Sequence, residues 1–336
     1  MISGAWVCAV MALCIWAFCL PAKAPQPASY PYRAPAFDAF VEESFKYSNA
    51  KDPHSFYAYM EQGYRQRAAQ TKGDTLAGFI SSGKASLARF KDPAAKSSAI
   101  IDTCARLHRA IKKTIPRFSL DRGFEFANVV KYGERQCFLQ SVLIAGILQK
   151  MGVDAGVVMV YRNIEGQYTN NGHAVTLVKL PDGDDIVVDA SEPIPFPKHK
   201  GLFVRMPGYH YVEPNYRPDS SRISGYRVAG LSKNVSPKAV ATLDMDFLKS
   251  QFWYYRGERA PGGLYTGRKS TAGLQTAAKA LETSMKLCPG NPLTVFMLSR
   301  VYKAQGDAAH ARALAGQAMK LYSSDGWVPS DLYSML

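Results

Sequence analysis

Three residues carry the chemistry this sequence offers: Cys137, His173 and Asp189. Cys137 follows Gly133, Glu134, Arg135 and Gln136 and opens an apolar run, which predicts a helix from Gln136 to Met151 ended by Gly152. A thiol at a helix N-terminus lies at the positive end of the macrodipole, which favours thiolate over thiol. The unpaired N–H groups of the same first turn face the space beside the sulfur, where an oxyanion would form. A free cysteine is also a good small hydrophobe for a core, so position alone leaves these two roles balanced. His173 and Asp189 shift that balance. His173 follows Asn170, Asn171 and Gly172 at the first position of a strand-like run, and Asp189 ends the next one. A hairpin would bring the carboxylate beside the imidazole, fixing its tautomer and stabilising the imidazolium. Against this stand a solvated histidine and a turn-capping aspartate. Gln136, adjacent to the cysteine, is the better side-chain candidate for a further oxyanion donor and Gln140 the weaker, with a surface polar role competing for each.

The elements that must position these groups follow from periodicity. Phe37, Phe40, Val41 and Phe45 repeat at helical spacing, as do Ile100, Ile101, Cys104, Leu107 and Ile111 in a helix over 99–115 that Pro116 stops. The helix that Cys137 opens is apolar on nearly every side and should be central. Strand-like runs at 155–161, 173–180 and 185–189 follow, with a turn at 181–184. Helices before an antiparallel sheet imply an α+β domain. Residues 191–235, rich in Pro, Gly and Tyr, read as long loops and edge strands, with solvent exposure expected for His199 and His210. From about Gly263 the pattern is helical again. Asn291 to Asp325 matches a tetratricopeptide-like repeat through Leu298, Tyr302, Gly306, Ala311, Ala315 and Ala318, and 274–289 fits the second helix of a degenerate preceding repeat. So short an array packs on the domain before it or docks a partner.

The sequence from Gly133 to Cys137, then Gly152-Val153-Asp154-Ala155, Gly172-His173-Ala174-Val175 and Val187-Val188-Asp189-Ala190, resembles the core of the transglutaminase-like superfamily, relatives of papain-type cysteine proteases. The resemblance spans roughly residues 95–192. It implies a papain-like fold with a helix packed on an antiparallel sheet, Cys137 as nucleophile, His173 as base and then acid, and Asp189 as the orienting group. Two positions depart from the family pattern. Val175 stands where an aromatic residue often follows His-Ala, and Gly156 where an arginine is common; both bear on packing and substrate contacts rather than on the triad.

The chain has 336 residues, is 47% hydrophobic and carries a net charge of +14. That excludes a disulfide-stapled module and a disordered chain. Residues 5–20 form an uncharged apolar run followed by Ala22, Lys23 and Ala24, like a secretory signal; a retained N-terminal anchor is the alternative because the start lacks Lys and Arg and Pro25 disfavours cleavage. The expected order is thus a leader at 1–24, a Pro-rich tether at 25–36, the α+β domain at 37–235 and a helical segment at 236–336. Three cysteines, Cys8, Cys14 and Cys19, fall in the leader, leaving an odd set of Cys104, Cys137 and Cys288 with at least one unpaired thiol. Cys104 and His108 stand one helical turn apart, but no second pair at zinc spacing joins them, so Cys104 is expected on a buried helix face and no metal or cofactor is expected. No phosphate loop or dinucleotide fingerprint occurs. The cations are scattered rather than striped, which argues against nucleic acid as a partner. The expectation is an exported periplasmic, cell-envelope or extracellular thiol enzyme. It would attack a peptide or carboxamide bond through a thioester, with hydrolysis preferred over transfer to an amine. The alternative is a catalytically inactive scaffold whose partner is a protein.

Overall fold

The structure, a computed structural model, describes residues 28–336 apart from the side chains of residues 170 and 171. The expected leader and the first residues of the tether lie outside the described residues. Ten α-helices and nine strands follow in the order α1 (Pro35–Tyr47), α2 (His54–Gly63, running into a π-helical turn at Tyr64–Ala68), α3 (Leu76–Arg89), α4 (Pro93–Thr114), β1 (Arg117–Phe118), α5 (Phe126–Tyr132), β2 (Glu134–Arg135), α6 (Cys137–Lys150), β3 (Ala155–Arg162), β4 (Tyr168–Lys179), β5 (Asp185–Val188), β6 (Gly201–Met206), β7 (Gly208–Tyr216), β8 (Arg222–Val228), β9 (Lys233–Val235), α7 (Met245–Glu258), α8 (Thr271–Leu287), α9 (Pro292–Gln305) and α10 (Ala308–Asp325). The protein is α+β, with helices flanking an antiparallel sheet of order β5-β4-β3-β6-β7-β8-β9.

That sheet closes on itself. β5 pairs with β8 through Asp185–Ile223 and Ile186–Arg222, so six strands form a barrel and β9 extends beyond it. Closure removes two exposed edges and creates an interior that only alternate residues can fill. Val158 and Val160 of β3, Val175 and Leu177 of β4, Val187 of β5, Leu202 and Val204 of β6, Val212 of β7 and Ile223, Tyr226 and Val228 of β8 do so as one buried cluster. The residues between them, such as Val157, Met159, Ala174, Val178 and Phe203, face outward into a second core shared with the helices.

The stretch 191–235 therefore differs from the loops and edge strands expected of it. Its prolines and glycines sit mainly between strands, while β6, β7 and β8 supply three of the six barrel staves. His199, expected in solvent, is 1% exposed. The tether also differs: Ala28, Tyr30 and Tyr32 are buried against α6, with Tyr32 N–H donating to Gly146 O (2.8 Å) and Tyr30 N–H to Gln149 Oε1 (2.7 Å). Tyrosines between the prolines give this segment apolar surface to bury, which a free tether lacks.

α6 is buried on nearly every side, as its composition requires. The outer core continues without a break from Tyr30 to Leu332, so the segment after 236 packs on the barrel domain. Within it α9 and α10 form the expected helical hairpin, turning at Gly306 with φ 85°. It packs on the rest through α7, where Phe252 meets Phe138 of α6 edge-on at 4.8 Å between ring centroids, and through Tyr322 of α10, stacked on Tyr211 of β7. No helix among the described residues is long and apolar enough to cross a membrane.

Candidate active site

The barrel's alternation decides where His173 and Asp189 point. His173 pairs with Val160 and shares the inward row of β4 with Val175 and Leu177; Asp189 continues the inward row of β5 beyond Val187. Both reach the same end of the barrel, where His173 Nε2 lies 2.8 Å from Asp189 Oδ2. Asp189 is fully buried, while the His173 side chain is 23% exposed.

Cys137 comes to this end from outside the barrel. It is the first residue of α6, capped by Gln136, whose Oε1 accepts from Phe138 N–H at 2.9 Å. One turn later Ser141 Oγ donates to the Cys137 carbonyl (2.7 Å) or to the Ala174 carbonyl (3.0 Å), and Thr176 Oγ1 donates to Ser141 O (3.0 Å). These bonds tie the first turn of α6 to β4 beside His173. From this turn Cys137 acts on the imidazole and favours its protonated form. The structure brings His173 and Asp189 together, and it places Cys137, 4% exposed, on the turn of α6 that is tied to β4 beside them.

The electrostatics follow from this geometry. Burial alone would depress His173, but the Asp189 hydrogen bond, the Cys137 hydrogen bond and the charges of both outweigh it and hold the imidazole well above its ordinary value. Burial would raise Asp189, yet hydrogen bonds from His173 and His199 hold its carboxyl well below the usual range. Its other oxygen, Oδ1, accepts from Ser191 N–H at 2.8 Å. An imidazolium is therefore favoured at His173, beside the first turn of α6.

The two glutamines have other partners. Gln136 is buried and caps α6 through its Oε1. Gln140 is fully buried, accepting from Arg135 Nε (3.0 Å) and donating to Ser191 Oγ (2.7 Å). Both hold the walls of the site together. Cys104 is buried on α4, where burial pushes its thiol up to about 12, and Cys288 is buried against Tyr209 with its thiol also raised. All three described cysteines are free.

Two residues at the site escaped the sequence. Tyr255 of α7 donates its hydroxyl to Gly172 O, next to His173, while Phe138 and Phe124 pack on its ring. His199, between β5 and β6, places Nε2 3.0 Å from Asp189 Oδ2. The ligating atoms of His173, Asp189 and His199 all lie within 4.8 Å of one another, close enough to hold a cation. Gly156 lies against Thr242, where an added Cβ would be 2.3 Å from Oγ1, so the Thr242 side chain fills the space a larger residue would need. No protein-family model matches this chain, and no curated protein does so either.

Proposed function

We propose that the protein is a transglutaminase-like thiol enzyme with a papain-like arrangement, acting on a peptide or carboxamide carbonyl. The observation that carries this is His173 bonded to a buried Asp189 held by three hydrogen-bond donors, with Cys137 on the α6 turn tied to β4 beside them. The Cys137 thiolate would attack the carbonyl carbon, and N–H groups at the start of α6 would receive the oxyanion. Phe138 N–H is already taken by Gln136 Oε1, so that role falls to the Cys137 N–H and, in competition with its other bonds, the Gln136 amide. His173 would then protonate the leaving amine, giving a thioester that water resolves; hydrolysis is preferred because solvent is always present. We assign Asp189 the task of stabilising the imidazolium between these steps. The expected setting is outside the cytoplasm.

A second reading, an inactive scaffold in the cell envelope with a protein partner, is favoured by the 4% exposure of Cys137. Alkylation by iodoacetamide, followed residue by residue in the peptides, separates the two. Under the enzyme reading Cys137 reacts at pH 6 to 7 while Cys104 and Cys288, both raised by burial, stay inert, and His173→Ala removes that reactivity. Cys137 as inert as the other two would leave the scaffold.

A further inference from the structure

Asp189 is held by two histidines, and a triad accounts for only one of them. His199 Nε2 and His173 Nε2 approach the same oxygen, Oδ2, at 3.0 and 2.8 Å, with the two rings 5.6 Å apart between centroids. His199 is itself fixed from behind, since the Tyr216 hydroxyl donates to its carbonyl at 2.8 Å. Its second ring nitrogen, Nδ1, is buried with no partner among the described residues.

That bare nitrogen decides what His199 does. A histidine that ligates a metal through Nε2 must carry its proton on Nδ1 and nearly always donates that proton to a carboxylate, carbonyl or water. Here such a proton would be a buried donor with no acceptor, a rarer and more costly defect than an unfilled acceptor. The arrangement that leaves no orphaned donor puts the proton on Nε2 and aims it at Asp189. Lys112 and His108 of α4 also act on Asp189, but their Nζ and Nε2 both bond Glu192 O rather than the carboxylate, and burial favours the neutral form of His108.

We propose that His199 is a positioning residue of this site, donating Nε2–H to Asp189 Oδ2 and so holding the carboxylate at the angle His173 requires. The proposal rests on the Cys137–His173–Asp189 reading above. Ser191 N–H fixes one carboxylate oxygen and His199 the other, so the plane of Asp189 cannot turn away when His173 takes up its second proton. Sharing Oδ2 between two donors also confines the charge of Asp189 to the site without a metal.

The test has two arms on the full chain. In the wild-type protein, long-range proton–nitrogen NMR of the imidazoles should show His199 protonated on Nε2, and one equivalent of Zn2+ should leave that signal in place. An Nδ1–H tautomer, or loss of the His173 and His199 Nε2–H signals on adding Zn2+, would overturn the proposal, the latter in favour of a metal site. In the second arm His199→Leu should slow Cys137 alkylation at pH 6 roughly three- to tenfold, the worth of one hydrogen bond, and move its pH dependence to the alkaline side. His199→Gln, which keeps an N–H donor, should stay near wild type. Equal loss in both variants, or none in either, would reduce His199 to a core side chain. If Cys137 is inert even in the wild type, the thiol reading fails, yet the tautomer still decides how Asp189 is held.

Discussion

The inward rows of β4 and β5 end in an ion pair at each end of the barrel, and the two ends are built differently. At one end His173 meets Asp189; at the other Lys179 Nζ meets Asp185 Oδ2 at 2.8 Å, with Val175, Leu177 and Val187 between. Both aspartates are buried to within 1% exposure. Asp189 receives a backbone N–H and two imidazoles over its two oxygens, and its carboxyl is held well below the ordinary range. Asp185 receives Lys179 and the Tyr226 hydroxyl on one oxygen only, its Oδ1 has no partner among the described residues, and burial pushes it up to about 6. Burial is nearly equal, so the count and placement of donors separates a carboxylate prepared to stay charged from one that merely closes the barrel.

The largest effect expected from this contrast is at Asp189. Asp189→Ala leaves the buried His199 and the partly exposed His173 without their acceptor and should cost about 3–5 kcal/mol in urea unfolding at pH 7, together with the low-pH reactivity of Cys137. A loss no greater than that of Asp185→Ala would break the comparison.

The two ends should also titrate in opposite senses. A folded carboxyl raised to about 6 binds more protons than the unfolded chain from about pH 4 to 6, so Asp185 lowers stability as pH rises through that window, by about 3 kcal/mol in total. Asp189, depressed instead, contributes stability that is present above about pH 4 and is lost only on further acidification. Asp185→Asn should therefore make the stability curve between pH 4 and 6 shallower by about 3 kcal/mol, the remainder belonging to groups such as Asp325, raised to about 7, while leaving Cys137 alkylation unchanged. A curve as steep as the wild type would mean that another group carries the slope.

Much of this site was legible because it depends on local signals. The apolar run after Cys137 pointed to α6, and strand-like runs divided by the turn at 181–184 pointed to β3, β4 and β5, which carry His173 and lead to Asp189. The barrel was not legible, because the strands that close it are interrupted by prolines and glycines and their partners are distant: Asp185 pairs with Ile223. His199 was lost with it. A histidine among prolines has no periodic neighbours to declare a buried face, and its burial arises only when the segment after β5 folds back so that Asp189 N–H bonds Pro195 O (3.1 Å). Tyr255 was hidden for a related reason: every face of α7 carries aromatic side chains, so periodicity cannot say which one meets a site more than 80 residues earlier in the chain.

Tyr255 gives the smallest and most selective test of the contrast between the two barrel ends. Burial, and then the nearby Cys137 sulfur, raise its hydroxyl well above the ordinary value, so it remains a hydroxyl and a donor at any pH where the protein is folded. Its acceptor, Gly172 O, belongs to a residue with φ 64°, the left-handed region where other residues are strained, and Gly172 sets the direction in which β4 delivers His173. Tyr255→Phe keeps the packing with Phe124 and Phe138 and removes only the hydroxyl. It should lower stability by about 1 kcal/mol and slow Cys137 alkylation by a few-fold, with no change in the slope between pH 4 and 6 that belongs to Asp185. A variant that changed that slope would show the two ends to be coupled through the barrel, since Tyr255 touches only the His173 end.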